Sequence, residues 1–360
     1  MKSILIRTIM VAGLLGLFMI SEITAQQLLS QPVVSPKASV TQDVGLATIE
    51  ITYGRPGVKG REIWGKLVPY GTEEQTIFDQ KPMPWRAGAN ENSTISLSHD
   101  AKINGQSLPA GTYGIHMIVN ENEWTIIFSK DYNSFGSFFY NEANDALRVK
   151  ATPVEAPFQE WMMFGFDKLT GGSCEAFLQW EKIKVPFTIE FDQHKIVTDT
   201  YKVELMGNPG FFANEWRNAA RYCLNNNVYL DLGLEWADQA YKAFRIDKFS
   251  VDVVKAGLLK ATGKTAEAKK LLDEAMETAS EKDLTDYGRT LFGAAKWDDM
   301  IYVAKFTVDK YSDSWNAYFM GGIAYASKGD KENAKDFYEE ALDLAPENMK
   351  ARIQTRLEAL

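Results

Sequence analysis

The sequence predicts two dissimilar domains in one chain: an antiparallel β-sandwich or barrel over residues 39–192, then an all-α, tetratricopeptide-like stack of helical hairpins over residues 211–360. Three observations carry this. Short runs with period-two alternation of apolar and polar residues, the mark of half-buried strands, recur up to Phe191 without a helical interlude. A breaker cluster, Gly207-Asn-Pro-Gly210, follows and makes residues 193–210 the expected linker. Beyond it, small and aromatic residues return at a helical-repeat spacing. A length of 360 residues also suits two or three domains better than one core.

In chain order, residues 1–25 read as an export signal, with Lys2 and Arg7 as the basic start, an apolar run from Ile9 to Ile20 and a small residue, Ala25, at the expected cut. The run is too short to span a bilayer, so a periplasmic or extracellular protein without a membrane span is expected. Residues 26–38, with Pro32 and Pro36, form an extended lead-in. Strand texture then appears at Thr48–Tyr53, Ser93–Ser98, Gly114–Val119 and Trp124–Ser129. Asn104-Gly105 predicts a tight hairpin, because such a turn needs positive φ at both central residues. Residues 130–160 are looser, with aromatics at Tyr132, Phe135, Phe138, Phe139 and Tyr140. Further strands follow at Trp161–Phe166, Cys174–Trp180 and Val185–Phe191, and Pro186, which cannot donate a ladder bond, places the last at a sheet edge.

The clearest helical unit is Trp315–Asn348. There Gly322, Tyr325, Gly329, Ala334, Tyr338, Ala341 and Pro346 stand at spacings that resemble the 34-residue tetratricopeptide repeat, with Tyr318 and Gly321 where that repeat usually has Trp and Leu. Gly263, Ala268 and Ala275 repeat the turn and second helix, Trp297-Asp-Asp-Met300 marks a third turn, and Ala220–Asn227 with Leu232–Ala243 gives one more hairpin. Four hairpins and a terminal helix, Met349–Leu360, are expected. Stacked hairpins form a groove for a protein partner, and Asn316, Phe319 and Ile323 fall at its facing positions in the last repeat.

The densest chemistry lies between Tyr53 and Glu91, at Tyr53-Gly-Arg-Pro-Gly-Val-Lys-Gly-Arg-Glu-Ile-Trp64 and Trp85-Arg-Ala-Gly-Ala-Asn-Glu91. Gly lets backbone approach a ligand, Arg offers a planar fork for an oxyanion, and Trp offers a flat stacking face. Arg55, Arg61, Trp85, Arg86, Asn90 and Glu91 are therefore candidate ligand residues, with His116, for a small anionic or saccharide-like ligand or an envelope component. The bland alternative is a structural corner. A formal charge of −9 disfavours nucleic acid. The isolated histidines, His99, His116 and His194, lack metal-ligand spacing, and neither a cofactor fingerprint nor a nucleophile elbow is present. Cys174 and Cys223 give no disulfide framework and read as buried small residues.

The first domain resembles an exported bacterial family, domain-of-unknown-function family 2911. The resemblance rests on Ser35-Pro-Lys-Ala-Ser-Val, Thr52-Tyr-Gly-Arg-Pro-Gly-Val-Lys-Gly-Arg, Leu67-Val-Pro-Tyr-Gly, Trp85-Arg-Ala-Gly-Ala-Asn-Glu, Leu108-Pro-Ala-Gly-Thr-Tyr and Trp180-Glu-Lys with Val185-Pro-Phe. It implies an exported setting and no particular activity, and Thr72–Pro84 stands out as an insertion between two of its motifs. The leading reading is a non-catalytic binding or scaffold protein. An envelope-polymer hydrolase drawing on Glu62, Glu91 and His116, and a purely structural module, are the alternatives.

Overall fold

The computed structural model describes residues 32–74 and 82–360. The export signal with its cut at Ala25, the first part of the lead-in and the centre of the Thr72–Pro84 insertion, residues 75–81, lie outside the described residues. The chain divides into two compact units between Gln193 and His194.

The first unit is β. Its strands are β1 (Lys37–Val44), β2 (Ala47–Gly54), β3 (Glu73–Glu74), β4 (Pro82–Met83), β5 (Ser93–Leu97), β6 (Ala101–Ile103), β7 (Gln106–Leu108), β8 (Gly111–Ile118), β9 (Trp124–Ser129), β10 (Asp145–Ala151), β11 (Val154–Asp167) and β12 (Ser173–Phe191). A six-stranded sheet runs β1-β2-β5-β8-β9-β10, a four-stranded sheet runs β11-β12-β6-β7, and β3 pairs with β4. Every register is antiparallel. The barrel alternative does not hold, since closure requires the first and last strands of a sheet to pair, and here β1 does not pair with β10, nor β11 with β7. The period-two reading places the core correctly: Ile49, Ile51, Ile95, Leu97, Ile115 and Met117 are all buried on one face of the large sheet. Rings from the two sheets meet there, Tyr53 with Phe164 at 5.1 Å and Phe128 with Phe187 at 6.1 Å.

Asn104 and Gly105 take φ of +46° and +79°, the conformation that the β6–β7 hairpin requires. Three features differ from expectation. The loose stretch at 130–160 contains β10 and the start of β11, and the two short strands expected between Cys174 and Phe191 are one strand of 19 residues. Pro186 is not at an edge, because β12 lies between β11 and β6. Its missing N–H is tolerated since pairing with β11 ends at Lys184 and pairing with β6 begins at Ile189.

The second unit is helical: α1 (Gln193–Glu204), α2 (Ala213–Asn226), α3 (Leu230–Ala240), α4 (Lys248–Ala261), α5 (Thr265–Thr278), α6 (Glu281–Gly293), α7 (Trp297–Lys310), α8 (Trp315–Ser327), α9 (Lys331–Leu344) and α10 (Glu347–Glu358). Most of the expected linker is therefore helix α1, whose Ile196 and Val197 are buried, with Tyr201 and Leu205 joining the core around Trp236. Four hairpins and a last helix follow. Trp297 opens α7 rather than forming the turn before it. In the last hairpin a Cβ on Gly321 would come within 2.3 Å of the Phe337 ring, and one on Gly322 within 2.6 Å of the Tyr338 ring. Those positions are small because aromatic rings of α9 fill the space a side chain would need. No helix among the described residues is long and apolar enough to cross a membrane.

Candidate functional site

The Gly- and Arg-rich segment after β2 runs along the edge of β11. Val58 N–H donates to Glu160 O (2.8 Å), Met162 N–H to Pro56 O (2.9 Å) and Lys59 N–H to Glu160 Oε1 (2.9 Å). Both arginines turn to backbone carbonyls: Arg55 Nε donates to Met162 O at 2.9 Å, and Arg61 donates to Val58 O at 3.1 Å and Gly57 O at 2.6 Å. Backbone carbonyls carry no charge to neutralise a guanidinium, so these contacts position the loop more than they silence its charge.

The second motif is an excursion in the large sheet. Trp85 pairs with Met117 and Ser93 pairs with Ile115, so the seven residues Arg86–Asn92 stand opposite a single residue of β8, His116. Gly54 and Ser93 hold the excursion shut. Ala89 N–H donates to Gly54 O and Ser93 Oγ to Ala87 O, and a Cβ on Gly54 would come within 1.9 Å of Ala89 O. Ala87 and Asn90 adopt φ of +49° and +67° to make the turns. Asn90 Nδ2 donates to Ser35 O at 3.0 Å, and Glu91 is exposed at the tip.

Trp85 belongs to a four-tryptophan cluster. Its ring stacks on Trp180 at 6.1 Å, and Trp64 sits edge-on to Trp85, Trp180 and Trp124 at 5.8, 5.8 and 4.8 Å. Aromatic pairs at these separations and angles are mutually attractive, and Trp124 and Trp180 are fully buried. Half-buried Trp85 is thus a packing element on at least one face.

Arg86 and His116 are brought together. Arg86 donates to Asn90 O at 2.7 Å, lies 5.2 Å from the Phe138 ring and fits against Gly136, where a Cβ would come within 2.3 Å of its Cζ. His116 points away from Ile115 and Met117, as alternation requires, yet it is only 1% exposed because residues 137–140 cover it. Its Nδ1 hydrogen-bonds Ser137 Oγ at 2.9 Å, and its ring meets Tyr140 edge-on at 5.1 Å. Burial, and then the Arg86 charge, push its pKa down to about 4 against the opposing pull of Asp131, so it is neutral at pH 7. Beside it, Tyr140 and Arg148 both donate to Asp145 Oδ2 at 2.7 Å. Burial raises the Asp145 carboxyl against these two donors, while its Oδ1, like Asn92 Oδ1, is buried without a hydrogen-bond partner.

Residues 35–189 match the family described as "Protein of unknown function (DUF2911)", and residues 316–348 match a tetratricopeptide repeat. The β unit is a DUF2911 domain. No curated protein matches the chain. Among solved structures, MamA from Desulfovibrio magneticus RS-1 is 17% identical, covering 42% of this chain and 83% of its own with a TM-score of 0.25. YrrB, described as a TPR protein with an unusual peptide-binding site, is 16% identical, covering 45% of this chain and 84% of its own with a TM-score of 0.26. Scores this low carry no argument about arrangement or role.

Within the DUF2911 domain, the expected residues do not converge on one surface. Arg86, Asn90 and His116 cluster, whereas Arg55 turns to β11, Arg61 to carbonyls of its own loop, and Trp85 joins the tryptophan core. The sequence pattern does not announce that Ser137 and Tyr140 cover His116, or that Tyr140 and Arg148 converge on Asp145. The aromatic run at 132–140 was visible in the sequence, but nothing in its spacing tied it to His116. Glu62 and Glu91 are exposed while His116 is covered, an arrangement that gives acid-base chemistry no shared opening. A cleft of about 410 Å³ lies instead by β6 and β7, lined among others by Asp100, Lys102, Pro109 and Glu190, and contains none of the candidates. Among the described residues no group of His, Cys, Asp or Glu is placed to hold a metal ion. Cys174 and Cys223 are free and buried, and burial raises each thiol to about 11.

In the helical unit the groove expectation needs one correction. Phe319 is 5% exposed, with its ring 5.9 Å from Tyr338 and Arg352 lying 5.5 Å above it, so it belongs to the core under α10. Ile323 is half-buried against the same core, and Asn316 is half-buried.

Proposed function

We propose that the chain is an exported, non-catalytic binding protein whose helical hairpins dock a protein partner, while its DUF2911 domain recognises a small anionic or saccharide-like ligand or envelope component. The observation that carries the first part is the tetratricopeptide match at residues 316–348, set within four consecutive hairpins. Support for the ligand part narrows to Arg86. It is half-buried rather than enclosed, and its neighbours Phe138 and Asn90 frame it with an aromatic face and a backbone carbonyl. Arg55, Arg61 and Trp85 contribute to that reading only as the frame that holds the loops.

Cross-linking of the full chain in its native exported fraction tests the docking role. Partner cross-links confined to residues 213–344 support it, and cross-links confined to residues 37–191 would sink it. N-terminal sequencing tests export: a mature form beginning at Gln26 is expected, and an unprocessed chain retained in the cell would refute it.

A further inference from the structure

We propose that Arg217 and Arg221 of α2 form an oxyanion-binding site on the seam between α2 and α4. The two residues are one helical turn apart, where side chains are neighbours and like charges repel. Leu224, the next residue of the same stripe, packs on Gly257 of α4, where a Cβ would come within 2.6 Å of Leu224 Cδ2. The stripe therefore faces α4. The Arg217 side chain is only 18% exposed, and its Nε is buried with no hydrogen-bond partner. Its remaining polar contacts are long: Nη1 stands 3.6 Å from Asp247 Oδ2, and Nη2 donates to Asn218 Oδ1 at 3.5 Å.

The surrounding charges leave this pair short of an anion. Asp247 caps α4, accepting from Ser250 N–H through Oδ1 and from Ser250 Oγ through Oδ2. Arg221 is exposed and has no ion-pair partner among the described residues. Its pKa is lowered first by desolvation and then by Arg217, with Asp247 opposing. The nearby lysines are taken, Lys248 by Asp252 and Lys255 by Asp238, and Glu215 accepts from Asn214. A buried guanidinium donor without an acceptor is costly, and a second guanidinium one turn away raises the cost. One oxyanion relieves both, accepting from Arg217 Nε and from the Arg221 fork through charge-assisted bonds. In a chain of net charge −9 such a patch is also electrostatically distinct.

The same chemistry has two sources, a carboxylate on an acidic segment of a docked partner or a free phosphate. The first rests on the docking reading above; the site itself does not. The test titrates the full chain with hexaglutamate and, separately, with inorganic phosphate at constant ionic strength, following the Arg217 Nε–Hε resonance. A saturable shift with either anion, weakened at least about tenfold in Arg221→Gln and partly restored in Arg221→Lys, supports the site, and the tighter anion names the source. Arg221 is exposed, so the variants are expected to fold, and an unchanged melting temperature checks this. Absence of saturation with both anions, or equal binding by Arg221→Gln, overturns the proposal. A saturable shift in a protein whose partner cross-links avoid the helical unit would leave the site standing and remove the docking reading alone.

Discussion

Replacing His116 with Gln should remove a defined part of the protein's acid sensitivity. In the folded protein the imidazole titrates near 4 rather than 6.5. As pH falls below the ordinary value, the unfolded chain takes up a proton that the folded chain refuses. The stabilisation from keeping this histidine neutral is therefore complete above about pH 6.5 and lost progressively down to the folded value. By linkage it amounts to about 2 kcal/mol by pH 5 and about 3 kcal/mol below pH 4. Asp145 works in the opposite direction, because its raised carboxyl favours the folded state as pH falls, but it is present in both proteins and cancels in their difference. Gln can still hydrogen-bond Ser137, which limits the fixed cost of the change. The assay is urea unfolding at pH 7 and pH 5, with the β unit followed by pulsed hydrogen exchange of residues 113–119. The wild-type chain should lose about 2 kcal/mol more than His116→Gln between the two pH values. Equal losses would show that His116 is protonated in the fold, and would refute its burial beneath Ser137 and Tyr140.

Trp85→Ala should cost on the order of 3 kcal/mol in thermal or urea unfolding, because it opens the four-tryptophan cluster, and a cost below about 1 kcal/mol would restore Trp85 as an exposed ligand platform. Gly321→Leu, which gives the last repeat the residue usual at that position, should destabilise this chain by about 1–3 kcal/mol, since Phe337 already occupies the space; increased hydrogen-exchange protection of α8 and α9 would contradict the packing. Ellman's reagent should find essentially no reactive thiol in the native protein and two in urea, because Cys174 and Cys223 are buried and unlinked. A zero count in urea would mean a disulfide.

Local pattern settled much of this architecture in advance. Alternation assigned the buried face of the large sheet, Asn104-Gly105 fixed a hairpin because its φ requirements belong to those two residues alone, and the spacing of Gly329, Ala334, Tyr338 and Ala341 announced the last helical hairpin. The motif segments also pointed to the DUF2911 domain, since a family resemblance resides in the residues themselves. What the motifs do was another matter. Arg55 reaches a carbonyl 107 positions away, His116 is covered by a segment 21 positions on, and Pro186 is tolerated in an interior strand only because the pairing partner changes beside it. Helix α1 likewise owes part of its burial to the later core around Trp236. Periodicity reports which face of an element is apolar, since that depends on neighbours along the chain. It does not report what lies against the other face, because coverage, desolvation and the partners of a charge come from residues that only the folded chain brings within reach.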